Sequence, residues 1–444
     1  MSSREEYLNE VCREVRFRAA RRYVRQELSA HIDDKKAQLE ASGAADAEAE
    51  AVQAMGSAVQ TGQALNAIHR PRVEWGIIAC VLLLTIAGAA ALFVGTTYGI
   101  RSDERVSIFW SNLSWRLMIR CLVVMAVLIF VNYTWIRKLR HICFGAALAY
   151  IAAYIIMYII HGVNFTLGEY GWLGQSAVII VPGLLFMAGM AGILQRRSRW
   201  SMWDTALVLS MCAISVLATS ILSSVYALVL FAVYLAMTAV ALSQSPLGRA
   251  QRLWRFAAVL AVLAAVLIAG QSLQPQYLTF GDDWGDMAQV RRMLANAPFV
   301  DISPVNRSGS LTASTTGYIL TAAISAYGWL FGIGVIAVFA VMLTLMVFRS
   351  FKTPHFFGRL LSFGISAYFG IRFVLFVLAN LGLIGGISIN LPFISHGLFN
   401  FLTDCALTGV FLSVWRRSSF MPRDAVPAAA VSQMNDAFPA PPIQ

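Results

Sequence analysis

The chain has 444 residues, of which 58% are hydrophobic and 13% are charged, and its formal net charge is +11. Soluble globular proteins carry about 25% charged residues, so this composition excludes an ordinary soluble fold and indicates an integral membrane protein. A basic surplus can also indicate nucleic-acid binding. Here, however, Arg and Lys form short clusters between apolar runs, which is the membrane-protein pattern, and we expect no nucleic-acid partner.

Residues 1–72 are polar and highly charged, and they predict a separate cytoplasmic helical bundle. Apolar residues recur every three to four positions from Tyr7 to Leu39, Gly43 ends this pattern, and Gly56 separates two shorter helices. We expect no cleavable signal peptide before the first span. The segment resembles the prefix domain that precedes some bacterial permease-like proteins. Its role stays open between a solubilising or assembly module and a sensor or docking module.

Ten windows of about 20 apolar residues each predict a transmembrane helix. They lie near 75–96, 115–136, 142–161, 176–195, 203–221, 223–243, 256–273, 317–347, 360–382 and 396–415. Clusters of Arg and Lys follow every second span, so the positive-inside rule places both termini in the cytoplasm. The predicted fold class is an all-α polytopic membrane domain over 73–417, followed by a disordered cytoplasmic tail over 418–444.

The six cysteines are scattered, mostly inside the predicted spans, and they form no CxxC motif. Cysteines in such positions usually behave as small buried hydrophobic side chains. We therefore expect neither a metal site nor a disulfide framework, and nothing in the sequence indicates a cofactor.

The longest predicted extracellular loop, 274–316, joins the seventh and eighth spans and contains a predicted amphipathic helix near 287–294. Its charged residues include Asp282, Asp283, Asp286, Asp301, Arg291 and Arg292. Carboxylates and arginines beside a membrane suit an anionic lipid-linked substrate, because guanidinium groups bind phosphate oxygens bidentately. A solvated loop with weak ion pairs explains the same composition.

The stretch NLPFISHGLFN, 390–400, places turn-forming and polar residues at the start of the tenth span. These are Pro392, Ser395, His396, Gly397 and Asn400. Irregular backbone at membrane depth persists only where it is buried in protein or lines a cavity. We expect Pro392 and Gly397 to break the backbone. The Ser, His and Asn then satisfy freed backbone groups or face a polar cavity, and a structural role for the His is favoured over that of a catalytic base.

Ionisable residues are rare inside the predicted spans. Arg372 in the ninth span and Asp404 in the tenth are the plausible exceptions, and we expect them to form a buried pair beside the NLPFISHG turn. A secondary transporter would show more charges within its spans, or paired broken helices in two halves. Transport is therefore the weakest hypothesis for the chain.

Two stretches resemble the SEDS family, the FtsW/RodA/SpoVE group of bacterial cell-wall proteins. LGLIGGISINLPFISHG, 381–397, is similar without gaps to one family stretch, and YILTAAISAYGWLFGIGV, 318–335, is similar to another. The ten-span topology with a long loop before the eighth span also agrees, and the likeness covers roughly 75–417. It implies a multi-pass protein of the bacterial inner membrane. Family members polymerise the lipid-linked precursor lipid II at the outer face, without metal, and pair with a transpeptidase.

The chain departs from the family where the resemblance places the catalytic Asp, because Gly317 occupies that position. The neighbouring Thr315 and Thr316 hydroxyls are not bases near neutral pH. The candidate substitutes are the four loop carboxylates, with the two loop arginines as candidate pyrophosphate ligands. This leaves two main hypotheses. One is a divergent peptidoglycan glycosyltransferase. The other is a non-catalytic protein that binds the precursor, or a membrane-anchored transpeptidase or division protein, and regulates cell-wall synthesis.

Overall fold

The computed structural model describes residues 3–44, 46–99, 118–161, 174–196, 201–245, 247–273, 284–300, 317–385, 389–394 and 398–419. Contacts divide the chain into two compact units. The first consists of Met1–Glu74, Thr353–Phe356 and Val414–Gln444, and the second of Trp75–Lys352 and Phe357–Ser413. The described residues form helices joined by turns and contain no strand, which confirms the predicted all-α class.

The N-terminal part of the first unit is a helical bundle. Its helices are α1 (Arg4–Glu14), α2 (Arg18–Ala41), α3 (Ala47–Ala54) and α4 (Ala58–Ile68). Gly43 and Gly56 have positive φ and lie just after α2 and α3, as the sequence predicts. The break between α1 and α2 at 15–17 was not predicted, because apolar spacing continues through it. Val15 on this break is fully buried with the helical residues Val11 and Val24.

The remaining helices follow in chain order. They are α5 (Trp75–Gly99), α6 (Met118–Phe130), α7 (Thr134–Lys138), α8 (Arg140–His161), α9 (Gly174–Arg196), α10 (Met202–Leu222), α11 (Ser224–Ser243), α12 (Arg249–Leu273), α13 (Trp284–Ala295), α14 (Ile319–Tyr327), α15 (Trp329–Phe351), α16 (Phe356–Asn380) and α17 (Leu398–Arg417). In the described part of the chain, α10, α11, α12, α15 and α16 are long and apolar enough to cross a membrane. The apolar stretches of α5, α6, α8 and α9 are shorter. The chain is a multi-pass membrane protein.

Small residues let neighbouring helices of the second unit approach closely. A Cβ on Gly192 of α9 would lie 2.6 Å from the Cβ of Arg140 on α8, and a Cβ on Gly409 of α17 would lie 2.8 Å from the Cβ of Leu128 on α6. Membrane helices associate through such small residues, because lipid offers no hydrophobic drive between them. The predicted boundary between the fifth and sixth spans, 203–221 and 223–243, is confirmed at Ser223, which is the N-cap of α11.

The predicted eighth span, 317–347, is two helices rather than one. The nine-residue α14 is buried at every position except Tyr327, and α15 is the membrane-length helix. Gly328 separates them with φ 94° and ψ 171°. The next two backbone N–H groups donate to the carbonyls of Pro298 and Phe299, each at 3.0 Å, instead of continuing a helix. Hydropathy averaging missed the break because α14 is as apolar as a span.

We expect Gly328→Ala to destabilise the protein by about 1–3 kcal/mol, because this φ and ψ combination is essentially restricted to glycine. A Cβ there would also lie 2.7 Å from the carbonyl oxygen of Phe299. Gly334→Ala on α15 is the matched control, since its Cβ would meet nothing within 4 Å. Thermal unfolding in detergent measures both variants. Equal stability of the two variants would contradict this account of the break.

Candidate functional site

A buried ion pair joins α16 to α17. Arg372 Nη1 lies 2.6 Å from Asp404 Oδ1, and the two side chains are 0% and 1% exposed. The same Nη1 lies 3.3 Å from the hydroxyl of Tyr368, whose ring centroid is 5.0 Å from the guanidinium carbon. Charges removed from water are costly unless their remaining hydrogen-bonding capacity is also used. In this site each partner makes one further bond to a backbone group, while the buried Nε of Arg372 has no hydrogen-bond partner among the described residues.

The segment 389–394, which we call the clasped segment, receives those backbone bonds. Arg372 Nη2 donates to the carbonyl of Asn390 at 2.8 Å, and the backbone N–H of Phe393 donates to the Asp404 carboxylate. Phe393 has φ 67° and is the only non-glycine residue with positive φ in the described ranges. This conformation costs a bulky residue about 1–3 kcal/mol, so the surrounding contacts must hold it in place. The ion pair supplies a contact on each side of the turn.

The side chains of the clasped segment face protein. Leu391, Phe393 and Ile394 are 1–2% exposed, and Pro392 is buried. The ring of Phe393 lies 6.0 Å from that of Phe369 on α16 and 6.1 Å from that of Phe401 on α17. On the opposite side, a Cβ on Gly88 of α5 would lie 2.7 Å from the carbonyl oxygen of Phe393. The irregular backbone therefore persists by burial between α5, α16 and α17.

Gly317, the position of the expected carboxylate, is buried and bonded to the end of α16. Asn380 Nδ2 donates to the carbonyl of Gly317 at 2.8 Å, and Asn380 Oδ1 accepts from the N–H of Thr321 at 3.0 Å. The Thr321 hydroxyl donates to the carbonyl of Asn380 at 2.8 Å. Asn380 and Thr321 are both 0% exposed. The bonded groups are amides and a hydroxyl, and no carboxylate of the described residues takes part.

Helix α13 confirms the predicted amphipathic helix and docks against the turn that follows α16. Its apolar residues Val290, Met293 and Leu294 are buried. Arg291 Nε donates to the carbonyl of Gly382 at 2.8 Å, so this arginine has a structural contact in addition to its predicted ligand role. Arg292 is exposed on the same helix.

The other sequence-predicted residues are distributed as follows. Asp286 belongs to α13, and Asn400 is buried in the first turn of α17, where its Oδ1 has no hydrogen-bond partner among the described residues. Asp282, Asp283, Asp301, Ser395, His396 and Gly397 lie outside the described residues. Asn380 was missed by the sequence reading. The sequence signal that could have identified it is an amide side chain at the end of an apolar span. Such a polar side chain usually hydrogen-bonds to another part of the helical bundle.

A small cavity lies beside the ion pair and is lined by Thr219 of α10, Tyr226 of α11, Tyr368 of α16 and apolar neighbours. Its volume is about 10 Å³, which is room for about one water molecule. It cannot hold a saccharide or a lipid headgroup. The described residues also contain no group of three or more His, Cys, Asp or Glu side chains placed to bind a metal ion.

We expect Asp404→Leu to destabilise the protein by about 3–5 kcal/mol, because it leaves the buried Arg372 charge unpaired. Asp404→Asn keeps an acceptor for the Phe393 N–H and should lose less. Arg372→Met combined with Asp404→Leu removes both charges and should be more stable than Asp404→Leu alone. Thermal unfolding in detergent ranks the variants. If Asp404→Leu were as stable as the wild type, the stabilising role of the Arg372–Asp404 pair would be contradicted.

Comparison with known proteins relates 78% of this chain to solved structures. One belongs to a study of the structural coordination of polymerization and crosslinking by a peptidoglycan synthase complex, with 18% identity, a TM-score of 0.56, and coverage of 78% of this chain and 98% of that chain. The rod shape determining protein RodA of Thermus thermophilus matches at 17% identity and TM-score 0.51, and a RodA point mutant at 17% and 0.52. Each covers 78% of this chain and 97% of its own.

No protein-family model and no curated protein matches the chain. At sequence identities of 17–18%, the structural similarity supports a shared arrangement of the helices and nothing finer. It agrees with the LPFIS-x-G resemblance, with the long segment that precedes α14, and with the helical membrane architecture described above. The chain therefore has the fold of the SEDS proteins, as represented by RodA.

Proposed function

We propose that the protein is a component of cell-wall synthesis in the bacterial inner membrane that binds a lipid-linked saccharide precursor of the lipid II type. The observation that carries the proposal is the pairing of a RodA-like fold with the hydrogen-bonded backbone at Gly317. The fold supports the binding of such a precursor, and the Gly317 network supports binding without polymerisation. We propose a membrane-anchored transpeptidase or division protein as its partner, in keeping with the likeness to a synthase complex.

Helix α13 supports the binding half of the proposal. A lipid-linked precursor carries a pyrophosphate, and guanidinium groups bind phosphate oxygens more strongly than neutral donors do. Arg292 is exposed on α13, while Arg291 uses its Nε on Gly382. Two bonds, Arg291 to Gly382 and Asn380 to Gly317, bring α13 and Gly317 to the same end of α16. The proposed pyrophosphate ligand and Gly317, where the resemblance places the catalytic Asp, thus share one region.

The chemistry at Gly317 supports the non-catalytic half. Glycosyl transfer to a sugar hydroxyl needs a group that takes the proton as the new bond forms. The Asn380 amide and the Thr321 hydroxyl are not bases near neutral pH. Asp404 is buried and bonded to Arg372 and to the Phe393 N–H, so it is not available either. Loss of a general base removes roughly 10²- to 10⁴-fold of rate.

A divergent glycosyltransferase is the second candidate, and the position of α13 is what favours it. Asp286 belongs to this helix, which docks at the end of α16 that also binds Gly317. Among the predicted substitute bases, Asp286 is therefore the first to test. The other three, Asp282, Asp283 and Asp301, complete the set.

The test combines binding and turnover with purified full-length protein in nanodiscs. We expect lipid II to bind, and Arg292→Gln to weaken binding about ten-fold, the value of one charge-assisted hydrogen bond. Lys352→Gln, just after the far end of α15, is the charge-matched control and should bind as the wild type does. Native mass spectrometry or a fluorescent lipid II analogue gives the affinities. Absence of lipid II binding would contradict the proposal.

The same preparation is then incubated with lipid II, in parallel with an active lipid II polymerase. We expect no glycan product on a denaturing gel. If glycan forms, the variants Asp286→Ala, Asp301→Ala and Asp282→Ala with Asp283→Ala identify the base, and the non-catalytic proposal is wrong. Full activity in every Asp variant would also remove the substitute-base hypothesis.

A further inference from the structure

The N-terminal bundle has opposite charges on two consecutive segments. Residues 13–25 contain six arginines and one glutamate, a net charge of +5. Residues 27–50 contain seven acidic residues and two lysines, a net charge of −5. The positive segment covers the end of α1 and the start of α2, and the negative segment covers the rest of α2 and most of α3. A module with this separation of charge takes a preferred orientation at a charged surface.

Four of the six arginines are exposed, namely Arg13, Arg16, Arg18 and Arg22, and we call them the basic corner. The other two are engaged within the bundle: Arg21 donates to the carbonyl of Val15 at 2.8 Å, and Arg25 pairs with Glu5 and Asn9. Within the described ranges, no acidic side chain pairs with any member of the basic corner. The four guanidinium groups are therefore available to an external anion.

Contacts inside the first unit place the basic corner beside the end of α17. Phe17, in the middle of the corner, has its ring centroid 5.9 Å from the guanidinium carbon of Arg416. Further along the bundle, Arg72 donates its N–H to the carbonyl of Arg416 at 3.3 Å, and the Ser419 hydroxyl donates to the carbonyl of Arg70 at 2.7 Å. Since α17 is the last predicted span and ends in Arg416 and Arg417, we expect its final turn at the depth of the lipid headgroups.

Exposed apolar residues support this depth. Val73 is 49% exposed and Trp75, the first residue of α5, is 73% exposed. Tryptophan is enriched at membrane–water interfaces, where its amphipathic ring lies at the headgroup level. The chain thus begins its first predicted span directly after Arg70 and Arg72, whose backbone groups bond to Ser419 and Arg416.

We propose that the basic corner binds the headgroups of anionic lipids in the leaflet at which α17 ends. Juxtamembrane arginines are attracted to anionic lipid surfaces, and each contributes about a five-fold change in surface binding. The acidic segment 27–50 is repelled by the same surface and faces the aqueous side. Lipid binding therefore sets the orientation of the bundle relative to the bilayer, and the membrane composition becomes a signal that the bundle reads.

The first test labels arginines in the full chain in nanodiscs, with phenylglyoxal as reagent and mass spectrometry as readout. We expect the basic corner to be labelled several-fold more slowly when the nanodiscs contain phosphatidylglycerol than when they contain phosphatidylcholine alone, and high salt to remove the difference. Equal labelling in both lipids would overturn the proposal. Equal protection by inorganic phosphate added to phosphatidylcholine nanodiscs would also overturn it, because it would indicate a soluble anion site.

The second test uses variants and the shift in melting temperature that phosphatidylglycerol causes. The shift should disappear in R13Q/R16Q/R18Q/R22Q and persist when the same four positions are lysine, because the attraction depends on charge. K35Q/K36Q, in the acidic segment, is the control and should keep the shift. A full shift in the four-glutamine variant would contradict the assignment. These outcomes do not depend on lipid II binding, so they are separable from the proposed function.

Discussion

A buried arginine in a membrane domain has few stable arrangements, and that constraint organises the candidate site. Arg372 is fully buried and reaches Asp404 on the next helix and the carbonyl of Asn390 between them. Asp404 in turn accepts from the N–H of Phe393. The pair thereby fixes the register of α16 against α17 and holds a left-handed turn that the sequence does not favour locally. The buried side chains of the clasped segment then complete the packing against α5.

The RodA-like arrangement of the helices and the hydrogen bonds at Gly317 bear on different parts of the proposed function. The SEDS-like arrangement of helices is retained, together with a buried irregular segment before the last helix. At Gly317, by contrast, the backbone is bonded to a neutral amide. A carboxylate side chain at this buried position would lack a cationic partner among the residues that bond there, which is costly.

The features that could be predicted from the sequence are those that follow from regular hydropathy, from helix-ending glycines, or from charged residues that are rare inside membrane spans. Hydropathy located the apolar helices, Gly43 and Gly56 marked helix ends, and the scarcity of charges in the spans singled out Arg372 and Asp404. The features that could not be predicted depend on tertiary contacts. The break at Gly328 exists because two backbone N–H groups find carbonyls at 298 and 299, and the role of Asn380 depends on the chain returning at 317.

The most direct test of this account is the hydrogen exchange of the Phe393 amide, compared between wild type and Asp404→Asn in nanodiscs. Asparagine preserves the shape of the side chain but weakens the hold of the ion pair on the turn. The account predicts that the Phe393 amide exchanges at least several-fold faster in the variant, while amides in the middle of α11 keep their wild-type rates. Unchanged exchange at Phe393 would show that packing alone holds the segment, which would contradict the central role of the Arg372–Asp404 pair.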